Sequence, residues 1–343
     1  MYNGFSTHLL EWHKTIVRTL PWKEHKDPYS IWLSEIILQQ TRVEQGTPYY
    51  LKFKQKYPTV TDLASASRDE VYKMWEGLGY YSRANNLHKT AKYIVEELSG
   101  KFPATYQELL KLKGVGEYTA AAIASFAYDL PEPVVDGNVF RVLSRYFAEK
   151  TPVNKTIGKK RFKELAIKVF NKDQPANHNQ AIMDLGALIC TPKDPQCRSC
   201  PLNNHCLAYR QNAVMQFPVR TVKKKLVKRV FNYLLAGEND RLFIKRRSHR
   251  DIWKNLYDFP MIETTGMVDN VAEIIGSNDP IEKYPTDYRS VLSHQVIEVR
   301  FWNVKGDLPI DKSELKLVSR NDMKDLVFPR VINRFLQENP DIY

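Results

Sequence analysis

A chain of 343 residues, 43% of them hydrophobic, is long enough for two ordinary domains with a core in each. Its 51 Lys and Arg against 39 Asp and Glu leave a formal charge of +12, which attracts anionic partners, nucleic acid first among them, although a merely soluble basic surface accounts for the charge equally well. The opening "MYNGFSTHLLEWHKTIVRTL" scatters histidines and charges where a signal peptide or membrane span needs an unbroken apolar run, so a cytoplasmic protein is expected, in which four cysteines are poor candidates for disulfides.

Helical periodicity dominates residues 1 to about 210. "DPYSIWLSEIILQQTRVEQGTPYY" begins with Asp27 as a capping residue and Pro28 at the first helical position, then runs on at helical spacing. "RDEVYKMWEGLGYYSRANNLHKTAKYIVEEL" predicts two helices broken at Gly77 and Gly79. "TYQELLKLKGVGEYTAAAIASFAYDL" reads as helix, glycine turn, helix; "DGNVFRVLSRYF" and "KKRFKELAIKVF" continue the pattern, and "NQAIMDLGALIC" ends on Cys190.

All four cysteines fall in "CTPKDPQCRSCPLNNHC", spaced C-x6-C-x2-C-x5-C. Zinc fingers and ribbons use two close pairs, and only one close pair is present, so the spacing favours one compact iron-sulfur cubane and leaves zinc open. Pro192, Pro195 and Pro201 stiffen the loop, which either staples structure or carries a redox centre.

The texture changes after Pro218. "RTVKKKLVKR", Arg220–Arg229, reads as an exposed basic connector that lies in solvent or against DNA. "VFNYLLAGENDRLFIKRRS" suggests a hairpin turning at Gly237–Asp240, and "VLSHQVIEVRFWNVKG" one further strand. The expectation is an all-α domain over 1–216 with its cysteine loop, a linker over 217–229, and a smaller α+β domain over 230–343.

Three features carry chemistry. Gly114 and Gly116 in "LKGVGEY" permit a tight turn before a helix N-terminus, where backbone N–H groups can meet a phosphate; a plain helix-helix turn is the alternative. Glu35 shares a helical stripe with Trp32, Ile36 and Gln39, and apolar neighbours raise a carboxyl pKa towards what a general acid needs; an exposed glutamate paired with Arg42 is the bland reading. Asp136 begins a helix, where N–H groups and the dipole favour its anion, as they would for any N-cap. One neutral and one ionised carboxyl is the pairing that glycosidic hydrolysis uses.

In order, "WLSEIILQQTRV", "GLGYYSRA", "LKGVGEYTAAAI", "VVDGNVFRVLSR" and the cysteine spacing resemble the helix-hairpin-helix glycosylase superfamily, and within it the MutY-type adenine DNA glycosylases, over residues 1 to about 210. The resemblance implies an iron-sulfur helix-hairpin-helix glycosylase domain with a 4Fe-4S cluster on Cys190, Cys197, Cys200 and Cys206. It implies excision of adenine opposite 8-oxoguanine or guanine in double-stranded DNA, by a nucleoid-associated monomer. Glu35 would protonate the adenine, Asp136 stabilise or capture the sugar cation, and Asn138 support Asp136. Endonuclease III, similar over the same half, has a Schiff-base lysine where this chain has Tyr118; a phenol forms no imine, so a monofunctional enzyme is implied, with the bifunctional pyrimidine-lesion lyase as the alternative. Gln40, Thr41 and Tyr80 match the family's wedge and estranged-base contacts, and Trp22 and Gln180 its adenine pocket. The second domain is similar to the family's Nudix-like module that recognises 8-oxoguanine. It lacks the Nudix hydrolase carboxylates and carries Leu292, Ser293 and His294 where the family has Phe-Ser-His.

Overall fold

The computed structural model describes residues 4–23, 25–221, 226–248, 251–306 and 308–342. Its helices in chain order are α1 (Phe5–His13), α2 (Pro28–Leu38), α3 (Val43–Lys56), α4 (Val60–Ser65), α5 (Arg68–Trp75), α6 (Ser82–Glu97), α7 (Tyr106–Leu109), α8 (Glu117–Tyr128), α9 (Gly137–Phe147), α10 (Thr156–Val169), α11 (Pro175–Leu188) and α12 (Leu207–Arg210). Strands β1 (Val227–Leu235), β2 (Gly237–Glu238), β3 (Arg241–Arg246), β4 (Tyr257–Asp258) and β5 (Met261–Thr264) follow, then α13 (Ala272–Ile275). The chain closes with β6 (Ile281–Lys283), β7 (Tyr288–Val291), β8 (Gln295–Val304), β9 (Lys316–Ser319), α14 (Arg320–Met323) and α15 (Arg330–Glu338). Among the described residues no helix is long and apolar enough to cross a membrane.

The chain divides into two units, 1–65 with 86–222, and 66–85 with 223–343. The second unit thus takes in twenty residues that the sequence places in the first domain. At the other end, the connector expected over 217–229 is shorter than drawn. Phe217 is buried, the Val153 N–H donates to the Val219 carbonyl at 3.1 Å and Asn154 Nδ2 to Thr221 Oγ1 at 2.9 Å, while β1 begins at Val227. Its Lys223, Lys224 and Lys225 lie outside the described residues.

In the first unit, α2 starts where Asp27 accepts from the Tyr29 and Ser30 N–H groups, with Pro28 behind it. The run through Tyr50 is two helices rather than one: the chain turns at Gln39–Arg42, with Gln40 at φ 56°. No glycine or proline announces that break. Between α7 and α8, Gly114 sits at φ 83°, and a Cβ there would meet Asn86 Cβ at 2.9 Å, so this position requires glycine. Gly116 has ordinary φ and open space around it; it N-caps α8 with no side chain covering the helix end. The core of this unit gathers Phe5 and Leu9 of α1, Val142 and Leu143 of α9, Phe162 and Leu165 of α10 and Ile182 and Leu185 of α11.

The second unit holds two sheets. One runs β5-β1-β8-β6, with β7 also on β8; β1 and β8 are parallel and the other pairs antiparallel. The other runs β2-β3-β4, with β9 also on β3. The expected hairpin therefore shrinks to the short β2–β3 rung, because β1 leaves for the other sheet to bury Phe231 and Tyr233. "VLSHQVIEVRFWNVKG" is likewise two strands, with Leu292, Ser293 and His294 at the turn between β7 and β8, where the Leu292 N–H donates to the Gln295 carbonyl at 2.8 Å.

Candidate active site

Eight of the residues singled out in the sequence line one cavity of about 900 Å³ in the first unit: Trp22, Glu35, Gln40, Thr41, Tyr118, Asp136, Asn138 and Gln180. Glu35 arrives from the middle of α2, whose other residues from Tyr29 to Ile37 are also buried. Burial pushes its carboxyl up to about 7; a hydrogen bond with Tyr118 and the charge of Lys23 pull the other way, and the nearby Asp136 adds to the rise. Tyr118 comes from the first turn of α8, directly after the glycine turn.

Asp136 caps α9, its Oδ1 accepting the Val139 N–H at 2.7 Å and its Oδ2 accepting from Asn138 Nδ2 at 3.0 Å. The expected contrast between the carboxyls is only half present. Burial raises the Asp136 carboxyl too, because it outweighs the Val139 and Asn138 hydrogen bonds and the charge of Arg141. Two carboxyls that both resist ionisation, and repel each other when ionised, titrate as a pair in which the more buried Glu35 keeps the proton.

A further polar cluster on the cavity lining was not legible beforehand. Asp184 of α11 lies 3.0 Å from His13 Nε2, and accepts from Arg18 Nη1 at 2.5 Å and Gln180 Nε2 at 2.7 Å. Burial opposes its charge, yet the His13 and Gln180 hydrogen bonds, the charge of Lys23 and the Arg18 bond bring it to about 2. Asp184 thereby holds Gln180 by its amino group, and Gln180 Oε1 is left buried without a hydrogen-bond partner. Lys23, on the same lining, is lowered to about 8 by burial against the opposing charges of Asp184 and Glu35. Only the i, i+4 spacing of Gln180 and Asp184 hints at this cluster; His13, Arg18 and Lys23 come from a distant part of the chain.

Arg141 and Arg145 on α9 were also missed. Arg141 Nη2 donates to Asn138 Oδ1 at 2.9 Å and to the Gly186 carbonyl at 2.6 Å, and Arg141 Nε to the Cys190 carbonyl at 2.6 Å. Arg145 Nη1 donates to Cys190 Sγ at 3.3 Å and to the Thr191 carbonyl at 2.7 Å. One helix thus carries Asp136 at its start and grips the cysteine loop at its end.

Cys190, Cys197, Cys200 and Cys206 line one small cavity of about 30 Å³ together with Ile189, Tyr209 and Val214. Among the described residues no three His, Cys, Asp or Glu side chains converge closely enough to grip a single metal ion. Burial raises the Cys200 thiol to about 12, while backbone N–H groups of Leu202 towards Cys200, and of Tyr209 and Ala208 towards Cys206, favour the thiolates. The donor set fits an iron-sulfur cluster, whose binding would release the thiol protons.

The other expected contacts lie elsewhere. Gly114 and Gly116 form the turn before α8. In the second unit Tyr80 is exposed and held at φ 48°, Ser293 and His294 are exposed, and Leu292 is half-buried against that unit's core.

Residues 33–167 match the family model of the HhH-GPD superfamily base excision DNA repair proteins, and 232–338 match that of the NUDIX domain. The chain is 35% identical over 322 residues to the adenine DNA glycosylase of Buchnera aphidicola subsp. Baizongia pistaciae (strain Bp), covering 91% of this chain and 90% of that protein. The adenine DNA glycosylase of Mus musculus is 43% identical over 61% of this chain and 42% of its own length. A thermostable thymine-DNA glycosylase superposes with a TM-score of 0.56 at 31% identity, over 60% of this chain and 95% of that one. Endonuclease III, in a non-covalent complex with DNA, superposes with a TM-score of 0.53 at 22% identity over 62% of this chain and 98% of that one, a likeness of fold. With the helical glycosylase half, the sheet-bearing second half and a relative matched over nine-tenths of its length, the chain is a DNA N-glycosylase and belongs to the MutY-type adenine DNA glycosylase family.

Proposed function

We propose that the chain hydrolyses the N-glycosidic bond of adenine mispaired with 8-oxoguanine or guanine, as a monofunctional enzyme. The observation that carries this reading is the pairing, in one cavity, of a buried Glu35 raised to about 7 with Asp136 at a helix start. A target base must leave the duplex stack to reach either carboxyl. Adenine presents an exocyclic N6–H donor, and the unsatisfied Gln180 Oε1 is an acceptor in the cavity that Trp22 also lines.

Glu35 donates its proton to the base, so that the base departs as a neutral molecule. The bond electrons leave with it and the sugar becomes an oxocarbenium ion. Asp136, aligned by Val139 and Asn138, faces that cation; the positive charge favours the ionised form that burial disfavours. Tyr118 hydrogen-bonds Glu35 and supplies no amine. Water then adds to the sugar, with Glu35 as base. Cys190, Cys197, Cys200 and Cys206 would hold a 4Fe-4S cluster, which would staple the loop that Arg145 grips. In the second unit, Ser293 and His294 at the exposed turn have the donors and acceptors to read the base opposite adenine. Leu292, packed on the core, supports that turn rather than standing free as a wedge. The enzyme acts as a monomer near the nucleoid.

The bifunctional reading has one observation in its favour, the amine of Lys23 lowered to about 8 within the cavity. Duplexes with adenine opposite 8-oxoguanine, adenine opposite guanine, or an oxidised pyrimidine, each incubated with and without borohydride, separate the two. The proposal expects adenine excision with little trapped adduct; efficient trapping that Lys23→Arg removes would establish the lyase.

A further inference from the structure

Residues 66–85 fall within the span of the glycosylase family model yet pack with the C-terminal module as part of the second unit. Four polar contacts join them to it. Arg246 Nη2 meets Asp69 Oδ1 at 2.6 Å, Asn255 Nδ2 meets Tyr72 Oη at 3.4 Å, Lys73 Nζ meets the Lys324 carbonyl at 2.7 Å, and Asn333 Nδ2 meets Glu76 Oε1 at 2.6 Å. Asp69, Tyr72, Lys73 and Glu76 recur at the spacing of one helical face, so the module grips one side of α5 from its first turn to its C-cap.

Directly after that cap comes the Tyr80 turn. Gly77, Gly79 and Tyr80 take φ values of 96°, 70° and 48°. The turn is tied from inside: Trp75 Nε1 donates to the Gly79 carbonyl at 2.9 Å, Arg83 Nη2 to the Leu78 carbonyl at 3.1 Å, and the Arg83 guanidinium lies 5.0 Å from the Trp75 ring and 5.8 Å from that of Tyr80. Leu78 is 6% exposed and Tyr80 47%, so the turn buries its own base while presenting one aromatic ring to solvent. An eight-residue helix followed by two glycines is a weak mount by itself. A side chain that opens a base stack works against a few kcal/mol of unstacking. A left-handed tyrosine persists only where its surroundings over-determine it.

We propose that the C-terminal module is a brace for this turn: by holding α5 through Asp69, Tyr72, Lys73 and Glu76, it stiffens the presentation of Tyr80 to DNA and so assists base extrusion whichever base opposes the adenine. This rests on reading Tyr80 as a DNA-contacting wedge. It gives the module a second task besides lesion reading, with Asn333 and Arg246 as positioning residues. Neither touches the cavity.

The test uses the full chain with Asn333→Ala and with Asp69→Lys, a surface change since Asp69 is 56% exposed. Each is made in the Tyr80 and the Tyr80→Ala background, and single-turnover excision is measured opposite guanine and opposite 8-oxoguanine. Loss of one such contact should slow excision about three- to tenfold for both partners in the Tyr80 background. In the Tyr80→Ala background the same changes should cost less than about twofold, since they act through the ring already removed. Asp69→Glu, which can still pair with Arg246, should restore the rate. Equal slowing in both backgrounds, slowing confined to 8-oxoguanine, or no slowing would overturn the brace while leaving the wedge intact. A harmless Tyr80→Ala would remove the wedge reading and the brace with it.

Discussion

In the proposed reaction Glu35 is the acid, and its surroundings give excision a pH dependence with a definite sign. The active form is the protonated acid. With the carboxyl at about 7, excision should fall about tenfold per pH unit well above it, and fall again on the acid side where the raised Asp136 carboxyl takes up a proton. Tyr118→Phe removes a hydrogen bond that lowers the Glu35 pKa, so the alkaline limb should move to higher pH in single-turnover profiles. A limb that stays in place would disconnect Tyr118 from Glu35. Glu35→Gln keeps the shape without a transferable proton, and should lose excision by more than about a thousandfold while binding the mispaired duplex nearly as before. The reason for a buried carboxyl was visible in "IWLSEIILQQ", where apolar neighbours surround it. What no local pattern revealed is that Asp136 would be raised as well, since that depends on a cavity closed by α8 and α11.

Among the elements, α9 does most to join the two sites. Its first turn aligns Asp136, and one and two turns later Arg141 and Arg145 hold the carbonyls that enter the cysteine loop. Arg145 also donates to the Val214 and Phe217 carbonyls, so one guanidinium ties the start of the loop to the segment after α12. Arg145→Ala strips several buried carbonyls of their donor. It should destabilise the protein by about 3 kcal/mol or more and lower its iron content, read as absorbance near the visible charge-transfer bands and as metal per chain. Arg145→Lys should rescue little, because a point charge cannot serve the same fork of acceptors. Protein made under iron-replete, oxygen-poor conditions should carry about four irons per chain; stoichiometric zinc in a colourless protein would refute the cluster. The helix itself was readable from its cap and periodicity. Its two arginines looked like ordinary basic positions, because the carbonyls they hold at the cysteine loop lie 45 or more residues away.

At the scale of the whole molecule, the proposed lesion-reading role is assigned to the turn between β7 and β8. Ser293→Ala with His294→Ala in the full chain should reduce the preference for 8-oxoguanine over guanine about ten- to a hundredfold, since readout of one base contributes about 1 to 3 kcal/mol. Excision opposite guanine should hardly change, which distinguishes these variants from those in the brace. Leu292→Phe, a larger ring at a site packed against the core, should lower thermal stability modestly instead of tightening lesion binding. An unaltered preference in the double variant would move lesion reading to other residues.

The sequence by itself determined what depends on neighbours within about one helical turn: the cap at Asp27, the helix start at Asp136, the left-handed glycine at 114, four thiols in a single loop, and a phenol at position 118. Those features also sufficed to place the family, because its motifs are short and ordered along the chain. Only the tertiary structure decided the break at Gln40, which no glycine or proline marks, the departure of β1 to a second sheet, the Asp184 cluster that pins Gln180, and the transfer of residues 66–85 to the C-terminal unit. Each of these is settled by burial and pairing between residues far apart in the chain, and local periodicity carries no record of the partner.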